Sequence, residues 1–449
     1  MRVTMLTQGT KGDILPFLLL GQQLVKKGHK VTLCSSPDVL EGVDGQGVDL
    51  CPVGPSTETY RRLGDEWMAK GDFRRMSSIT GEIRKALMES MAKESYEAAA
   101  GSDLIIFKYL WVAGYSIAEK LGVPSVGVML FPVTHTREFP CFHIGDGKYR
   151  GRLHNALLWW FDEQSILWKP QRAAANRLRT DILQLKPFPS SGPYKRWHRR
   201  KAREGVPLLY LYSPAVLPKP ADWPDHFHVV GACKNLPPDD WAPPEELVRF
   251  LQGGDPPVYI GFGSAANDAE RNFGVIIEAL EISGMRGVIH QGHNGIGVGK
   301  AVPESVIVIE DIPHSWLFPQ TAAVVHHGGA GTTMAGVQSG VPSIIVPFVI
   351  DQYSWGERIY ALGVGPRPIP IKELDAKRLA TAITEATQDE RMRRRAAEMG
   401  RVLAEEDGIQ AAVEFVEALV GTAKGTDKDA PRDGASDGAA MSEAAIIVD

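Results

Sequence analysis

The opening of this chain constrains its fold more than any other stretch. An apolar run, Val3 to Leu6, leads into a glycine-bearing loop, Gly9 to Asp13, then a segment of helical period, Ile14 to Lys27, then Gly28 and a second apolar run, Val31 to Cys34. Such an order is a β-α-β unit, which joins two parallel strands through a crossover helix. The alternation returns at Asp103 to Phe107, Ser116 to Leu121 and Pro124 to Met129, with Gly122 closing the helix. A second series follows: the strand Pro257 to Phe262 with the turn Gly263-Ser264, a helix near Val275 to Ser283, and strands at Gly287 to His290, Ser305 to Ile309 and Ala322 to His326. The expected architecture is α/β, two Rossmann-like halves facing a central cleft, with ligands at the carboxyl ends of the strands.

Composition sets the boundaries. The first half is expected over 1–220, the second over 221–405, with the proline-rich Pro214 to Trp241 as the linker. The apolar spacing Ile409, Ala412, Val413, Val416, Leu419 places a closing helix at 406–420, free to pack back on the first half. Residues 421–449, rich in Gly, Ala, Asp and Lys, are expected to be a disordered tail, in which Asp427-Lys428-Asp429 is tail composition and not a metal motif. An insertion at 145–205 mixes Trp159, Trp160, Phe161, Trp168 and Trp197 with six Lys or Arg residues between Tyr194 and Arg203. Two readings fit it: a solvated helical hairpin whose tryptophans are core, or a basic aromatic surface for an anionic membrane or an apolar acceptor.

The bulk numbers exclude several classes. With 449 residues, 44% of them hydrophobic, the chain can bury two or three cores. A net charge of −5 gives no electrostatic footprint for nucleic acid. Cys34, Cys51, Cys141 and Cys233 are scattered, without a CxxC pair or a histidine cluster, so neither a disulfide framework nor a zinc site is expected and a reducing cytoplasm fits. The apolar stretch near Met1 is too short for a signal peptide, and no run approaches the roughly 20 apolar residues of a membrane span. Membrane contact is therefore expected to be peripheral at most.

The chemistry concentrates in His326-His327-Gly328-Gly329-Ala330-Gly331-Thr332-Thr333, between an apolar strand and the helical run Met334 to Ser339. Glycines let the backbone approach an anion, a helix N-terminus offers free N–H groups and a positive dipole end, and the threonines and His327 add donors. The alternative is a glycine-rich turn with a purely structural role. No lysine follows the glycines, so this is not a Walker A loop, and the spacing is not the GxGxxG dinucleotide fingerprint.

The run from His326 through Gly340-Val341-Pro342 and Pro347 to Asp351-Gln352 resembles the donor-binding signature of family 1 glycosyltransferases, which have the GT-B fold. The His-His-Gly-Gly-x-Gly-Thr form is most similar to that of sterol 3β-glucosyltransferases and of bacterial glycopeptide and macrolide glycosyltransferases. Thr7-Gln8-Gly9-Thr10-Lys11-Gly12-Asp13 resembles the Gly-Ser-Arg-Gly-Asp loop of that group, and Tyr212-Ser213-Pro214 with Asp222-Trp223-Pro224 resembles its sterol-type linker. The resemblance spans residues 1 to 420. It implies that Ser264, His327, Gly329, Gly331, Thr332 and Thr333 hold the donor diphosphate, that Asp351 and Gln352 bind sugar hydroxyls, and that Asp311 to Trp316 meets the nucleobase. Asp311 stands where plant enzymes carry a base-stacking tryptophan, a departure that loosens the assignment of the base; UDP is expected ahead of dTDP.

Asp13 is the candidate general base, because inverting transfer needs a group to take the acceptor hydroxyl's proton as that oxygen attacks the anomeric carbon. By position alone Asp13 equally fits an N-cap of a helix starting at Ile14. His135 and Thr134, after a strand on the functional edge, are candidate acceptor contacts, an ordinary loop histidine being the alternative. The resemblance implies an inverting hexosyltransferase without metal or other cofactor, moving glucose from UDP-glucose to an apolar hydroxylated acceptor such as a sterol. The competing readings are a secondary-metabolite enzyme using UDP- or dTDP-sugars, a non-catalytic binding protein on the same fold, and a nucleotide-sugar epimerase.

Overall fold

A computed structural model of the chain describes residues 1–56, 89–197, 205–234, 236–237, 241–263, 268–292 and 295–426. The β-α-β units close into two parallel sheets. The first contains β1 (Arg2–Leu6), β2 (Lys30–Ser35), β3 (Asp49–Pro52), β4 (Leu104–Lys108), β5 (Ser125–Met129), β6 (Leu208–Tyr210) and β7 (Phe227–Val229), in the order β3-β2-β1-β4-β5-β6-β7. The second contains β8 (Val258–Gly261), β9 (Gly287–His290), β10 (Val306–Ile309), β11 (Ala323–His326) and β12 (Ser343–Ile345), in the order β10-β9-β8-β11-β12. Every pair in both sheets is parallel. Strand order reverses direction between β1 and β4 in one sheet and between β8 and β11 in the other, and crevices for ligands open at such points.

Six helices matter for the site: α1 (Lys11–Lys26), α2 (Arg152–Phe161), α3 (Ala330–Gln338), α4 (Gln352–Leu362), α5 (Glu390–Ala404) and α6 (Gly408–Thr426). The last crosses back to the first domain, where Ile409, Ala412, Val413 and Val416 are buried with Val3, Met5, Leu20 and Leu209 in one core. A hydrogen bond from Ser213 Oγ to Glu406 Oε1, 2.6 Å, ties the crossing segment down. The domains share apolar packing at Trp355 of α4, fully buried, whose ring meets Phe142 at 5.0 Å and Tyr212 at 5.7 Å.

Four expectations are adjusted. The strand β7 belongs to the first sheet although it follows the boundary drawn at 220, because three residues are too few to show a period inside a proline-rich stretch. The final helix runs to Thr426, six residues into the expected tail, and the rest of that tail lies outside the described residues. In the insertion Trp159, Trp168, Tyr194 and Trp197 are core, whereas Trp160 and Phe161 are 57% and 48% exposed. Most of the basic run after Trp197 lies outside the described residues. Cys34 and Cys51, apart in sequence, are register partners on β2 and β3 and remain free thiols.

Candidate functional site

The first half of the site forms at the β1/β4 reversal. The chain leaves β1, turns through Gly9 at φ +130°, and enters α1 with Thr10 at the N-cap, so Asp13 sits in the first helical turn and is not itself the N-cap. Its carboxylate reaches back: Thr10 N–H donates to Oδ2 at 2.9 Å, and the Thr10 hydroxyl donates to the same oxygen at 3.2 Å. Lys108, the last residue of β4, donates from Nζ to Asp13 Oδ1 at 2.8 Å and to the Gln8 carbonyl at 3.0 Å. Sequence reasoning missed Lys108; its signal was a lone cation closing the buried apolar run Leu104 to Phe107. Asp13 is thus held in orientation while its side chain stays 26% exposed.

The second half forms at the β8/β11 reversal. His326 ends β11 fully buried and accepts the Gly328 N–H on Nδ1 at 3.1 Å, which braces the turn. His327 is half-buried, and its ring lies between two glycines: a Cβ on Gly263 would come within 3.2 Å of it, and one on Gly329 within 2.5 Å. Burial pushes His327 down to about 4, so at neutral pH it is an uncharged N–H donor, not the positive charge the sequence allowed. Gly329 is the N-cap of α3, and the first helical bond is Thr333 N–H to the Gly329 carbonyl at 2.9 Å. The amides of Ala330, Gly331 and Thr332 precede that bond, so by helix geometry they point out of the helix end. Gly331 is exposed, with open space where a Cβ would stand. An anion placed there meets free N–H groups and the dipole end.

Thr333 does not join this cradle, because its side chain is fully buried beneath the turn. Ser264, next to Gly263, lies outside the described residues. On the base side, Asp311 after β10 pairs with His290 Nε2 at 2.9 Å and is 91% exposed, while Trp316 packs edge-on to Trp241 at 5.4 Å.

The two motif ends, His326 to Thr333 and Asp351-Gln352, meet physically. A Cβ on Gly328, at φ +87°, would stand 3.1 Å from the Gln352 carbonyl. Gln352 is buried, and its Oε1 accepts the N–H groups of Phe348 at 2.8 Å and Val349 at 3.1 Å. That oxygen pins the loop and is not available to a sugar, which leaves only the amide N–H₂. Ile350, a β-branched residue at φ +51°, stores backbone strain beside Asp351. Burial pushes Asp351 up to about 7, and the charges of His143 and Asp13, both in the first domain, also act on it. Asp13 is therefore near enough to Asp351 for its charge to be felt there.

Of the two acceptor candidates, Thr134 is buried in the loop after β5 with its hydroxyl on Tyr210 Oη at 2.8 Å. His135 is half-buried; burial lowers its basicity, and it contacts the Ala156 backbone of α2. Among the described residues no group of three or more His, Cys, Asp or Glu stands together as a metal site.

Two family models match the halves of the chain: the glycosyltransferase family 28 N-terminal domain over residues 3–140, and the erythromycin biosynthesis protein CIII-like C-terminal domain over 287–419. Among solved structures, the calicheamicin glycosyltransferase CalG4 aligns with a TM-score of 0.68 at 17% identity, covering 94% of this chain and 98% of that one. The glycosyltransferase VinC in complex with dTDP aligns with a TM-score of 0.64 at 19% identity, covering 94% and 100%. The two-sheet fold is that of the GT-B glycosyltransferases. A sterol 3-beta-glucosyltransferase of Arabidopsis thaliana is 34% identical over 426 residues, 92% of this chain and 67% of that protein. One from Yarrowia lipolytica is 32% identical over 93% of this chain. The chain belongs to the glycosyltransferase family that contains these sterol 3-beta-glucosyltransferases. It spans 65% of a second Arabidopsis relative and 28% of the Yarrowia protein.

Proposed function

We propose that this enzyme transfers glucose from UDP-glucose to the hydroxyl of a sterol, with inversion and without a metal. The reading is supported by Asp13, held by Thr10 and Lys108 at the β1/β4 reversal, and by the open N-terminus of α3 at the β8/β11 reversal, with Asp351 of the second domain within reach of the charge of Asp13. The acceptor oxygen attacks the anomeric carbon and its proton passes to Asp13. The bond to the diphosphate breaks, its electron pair leaves with the phosphate oxygen, and the α3 amides and the His327 N–H receive that charge. Asp351 and the Gln352 amide hold sugar hydroxyls. The sterol acceptor is supported by the names of the relatives, and the secondary-metabolite alternative by the solved neighbours.

A peripheral membrane contact belongs to the same reading; no described helix is long and apolar enough to cross a bilayer. Leu153, Leu157, Trp160 and Phe161 are 75%, 58%, 57% and 48% exposed and share one face of α2. Exposed Arg152 and Lys148 stand beside it, a composition suited to an anionic interface. Transfer of labelled glucose to sterol in vesicles, against the same sterol in detergent, tests acceptor and surface together. Replacing Leu157 and Trp160 by Ser is expected to lower the vesicle rate alone; equal rates in both media would remove the membrane contact.

A further inference from the structure

Beyond Asp13, the first domain presents a second acid–base pair to the cleft. His143 follows β5 in the loop that packs on α4, and its Nδ1 lies 3.0 Å from Asp162 Oδ2. Asp162 is fully buried, and its other oxygen, Oδ1, has no partner. A buried carboxylate is costly without a compensating charge or donor, so Asp162 holds the imidazole in one orientation with Nδ1 as its donor. Phe131 braces the ring edge-on at 5.4 Å.

The loop around His143 is tied to the second domain on both sides. Phe142 packs on Trp355 at 5.0 Å, and Gly147 lies so close to α4 that a Cβ there would stand 2.6 Å from Ser354 Cα. His143 is consequently held near the head of α4, where Asp351 is the half-buried carboxylate. The charge of His143 acts on that carboxylate, which corroborates the placement. Groups acting around the imidazole are Asp162 from the helix after α2, Asp351 at the N-cap of α4 and the Cys141 thiol, which burial and Asp162 push up. With Nδ1 committed to Asp162, Nε2 is the ring's remaining polar atom.

We propose that His143, held by Asp162, binds the hydroxyl edge of the transferred sugar together with Asp351, so that the sugar is clamped from both domains and hexoses lacking a hydroxyl there are rejected. The proposal rests on the nucleotide-sugar reading above. Asp162 is a positioning residue and His143 a specificity-determining one. Sites built to hydrogen-bond a substrate hydroxyl reject analogues lacking it far more strongly than apolar pockets reject a missing methylene. A donor with deoxygenated positions would leave both His143 and Asp351 unsatisfied.

The test is the full chain with UDP-glucose and its 3-, 4- and 6-deoxy analogues as donors, comparing the unmodified protein with His143→Ala, His143→Gln and Asp162→Asn. In the unmodified protein at least one deoxy donor should be disfavoured by about tenfold or more in kcat/KM. His143→Ala should lose that preference through KM, with UDP affinity unchanged. His143→Gln, whose amide oxygen can accept a sugar hydroxyl's hydrogen as Nε2 does, should recover part of it. Asp162→Asn should follow His143→Ala in direction, and the double variant should fall short of the sum of the two. A graded series that His143→Ala leaves intact overturns the clamp alone; a flat series in the unmodified protein overturns the clamp and the hexose reading together.

Discussion

The Lys108 ammonium stands 2.8 Å from Asp13 Oδ1, and on the opposite side the backbone of Gly9 passes so close that a Cβ there would lie 2.2 Å from Oδ2. The carboxylate is therefore fixed between a cation and a glycine that has no room for a side chain. Gly9→Ala must move Asp13 or abandon φ +130°. We expect it to lower kcat by about a hundredfold or more, as Asp13→Asn does, because each removes a positioned proton acceptor. UDP affinity, measured by calorimetry, should stay unchanged, since the cradle lies on the other domain. A Gly9→Ala enzyme with full kcat would remove Asp13 from the chemistry.

Protons should follow the nucleotide. Burial holds His327 at about 4, below its ordinary 6.5, so the free protein resists a charge there that a diphosphate would favour. UDP binding is expected to take up protons between about pH 4 and 6.5 and to tighten as pH falls through that window. Calorimetry in two buffers of different ionisation enthalpy measures the uptake, and His327→Gln should abolish it. Without ligand the sign reverses: because the native pKa is depressed, this histidine's contribution to stability is complete above 6.5 and is lost as pH falls toward 4.

Asp351 carries the opposite linkage. Burial raises it from 3.8 to about 7, so the native state keeps a proton that the unfolded chain releases. Its contribution to stability is present below about 4 and is lost as pH rises toward 7. Tm measured from pH 4 to 8 should therefore decline relative to Asp351→Asn, and parallel curves would contradict the burial. Donor KM should rise below pH 7 in the unmodified enzyme, as the carboxylate takes up its proton and becomes a weaker acceptor for sugar hydroxyls.

Trp355 joins the two domains through Phe142 and Tyr212 and is fully buried. Trp355→Ala is expected to cost about 3–5 kcal/mol of stability by opening a cavity. Because the lost contacts cross the domain boundary, unfolding should broaden or split into two transitions in calorimetry, whereas a single sharp transition at lower Tm would place the damage within one domain.

How much of this was legible in the sequence depended on distance along the chain. The strand Gly287 to His290, the strand before His326 and the glycine-rich turn were all visible, because period and turn chemistry act over a few residues. Relationships set by the sheet were not. Lys108 lies 95 residues from Asp13, and His143 lies 19 from Asp162 through a loop and a helix, so no local pattern announces either pair. The orientations of Thr333 and Gln352 were hidden for a related reason: the motif gives residue types, whereas the structure buries the Thr333 side chain and sets the Gln352 oxygen on Phe348 and Val349, leaving its amide N–H₂.

The central claim is transfer of glucose from UDP-glucose to a sterol by way of Asp13. Its most direct test is the initial rate of labelled glucose transfer to a sterol dispersion, in a chelated buffer, for the unmodified enzyme and for Asp13→Asn. The account predicts transfer by the unmodified enzyme, and a rate lower by about 10²–10⁴ in the variant with UDP binding retained. No transfer to sterol by an enzyme that binds UDP-glucose, or undiminished transfer by Asp13→Asn, would contradict it.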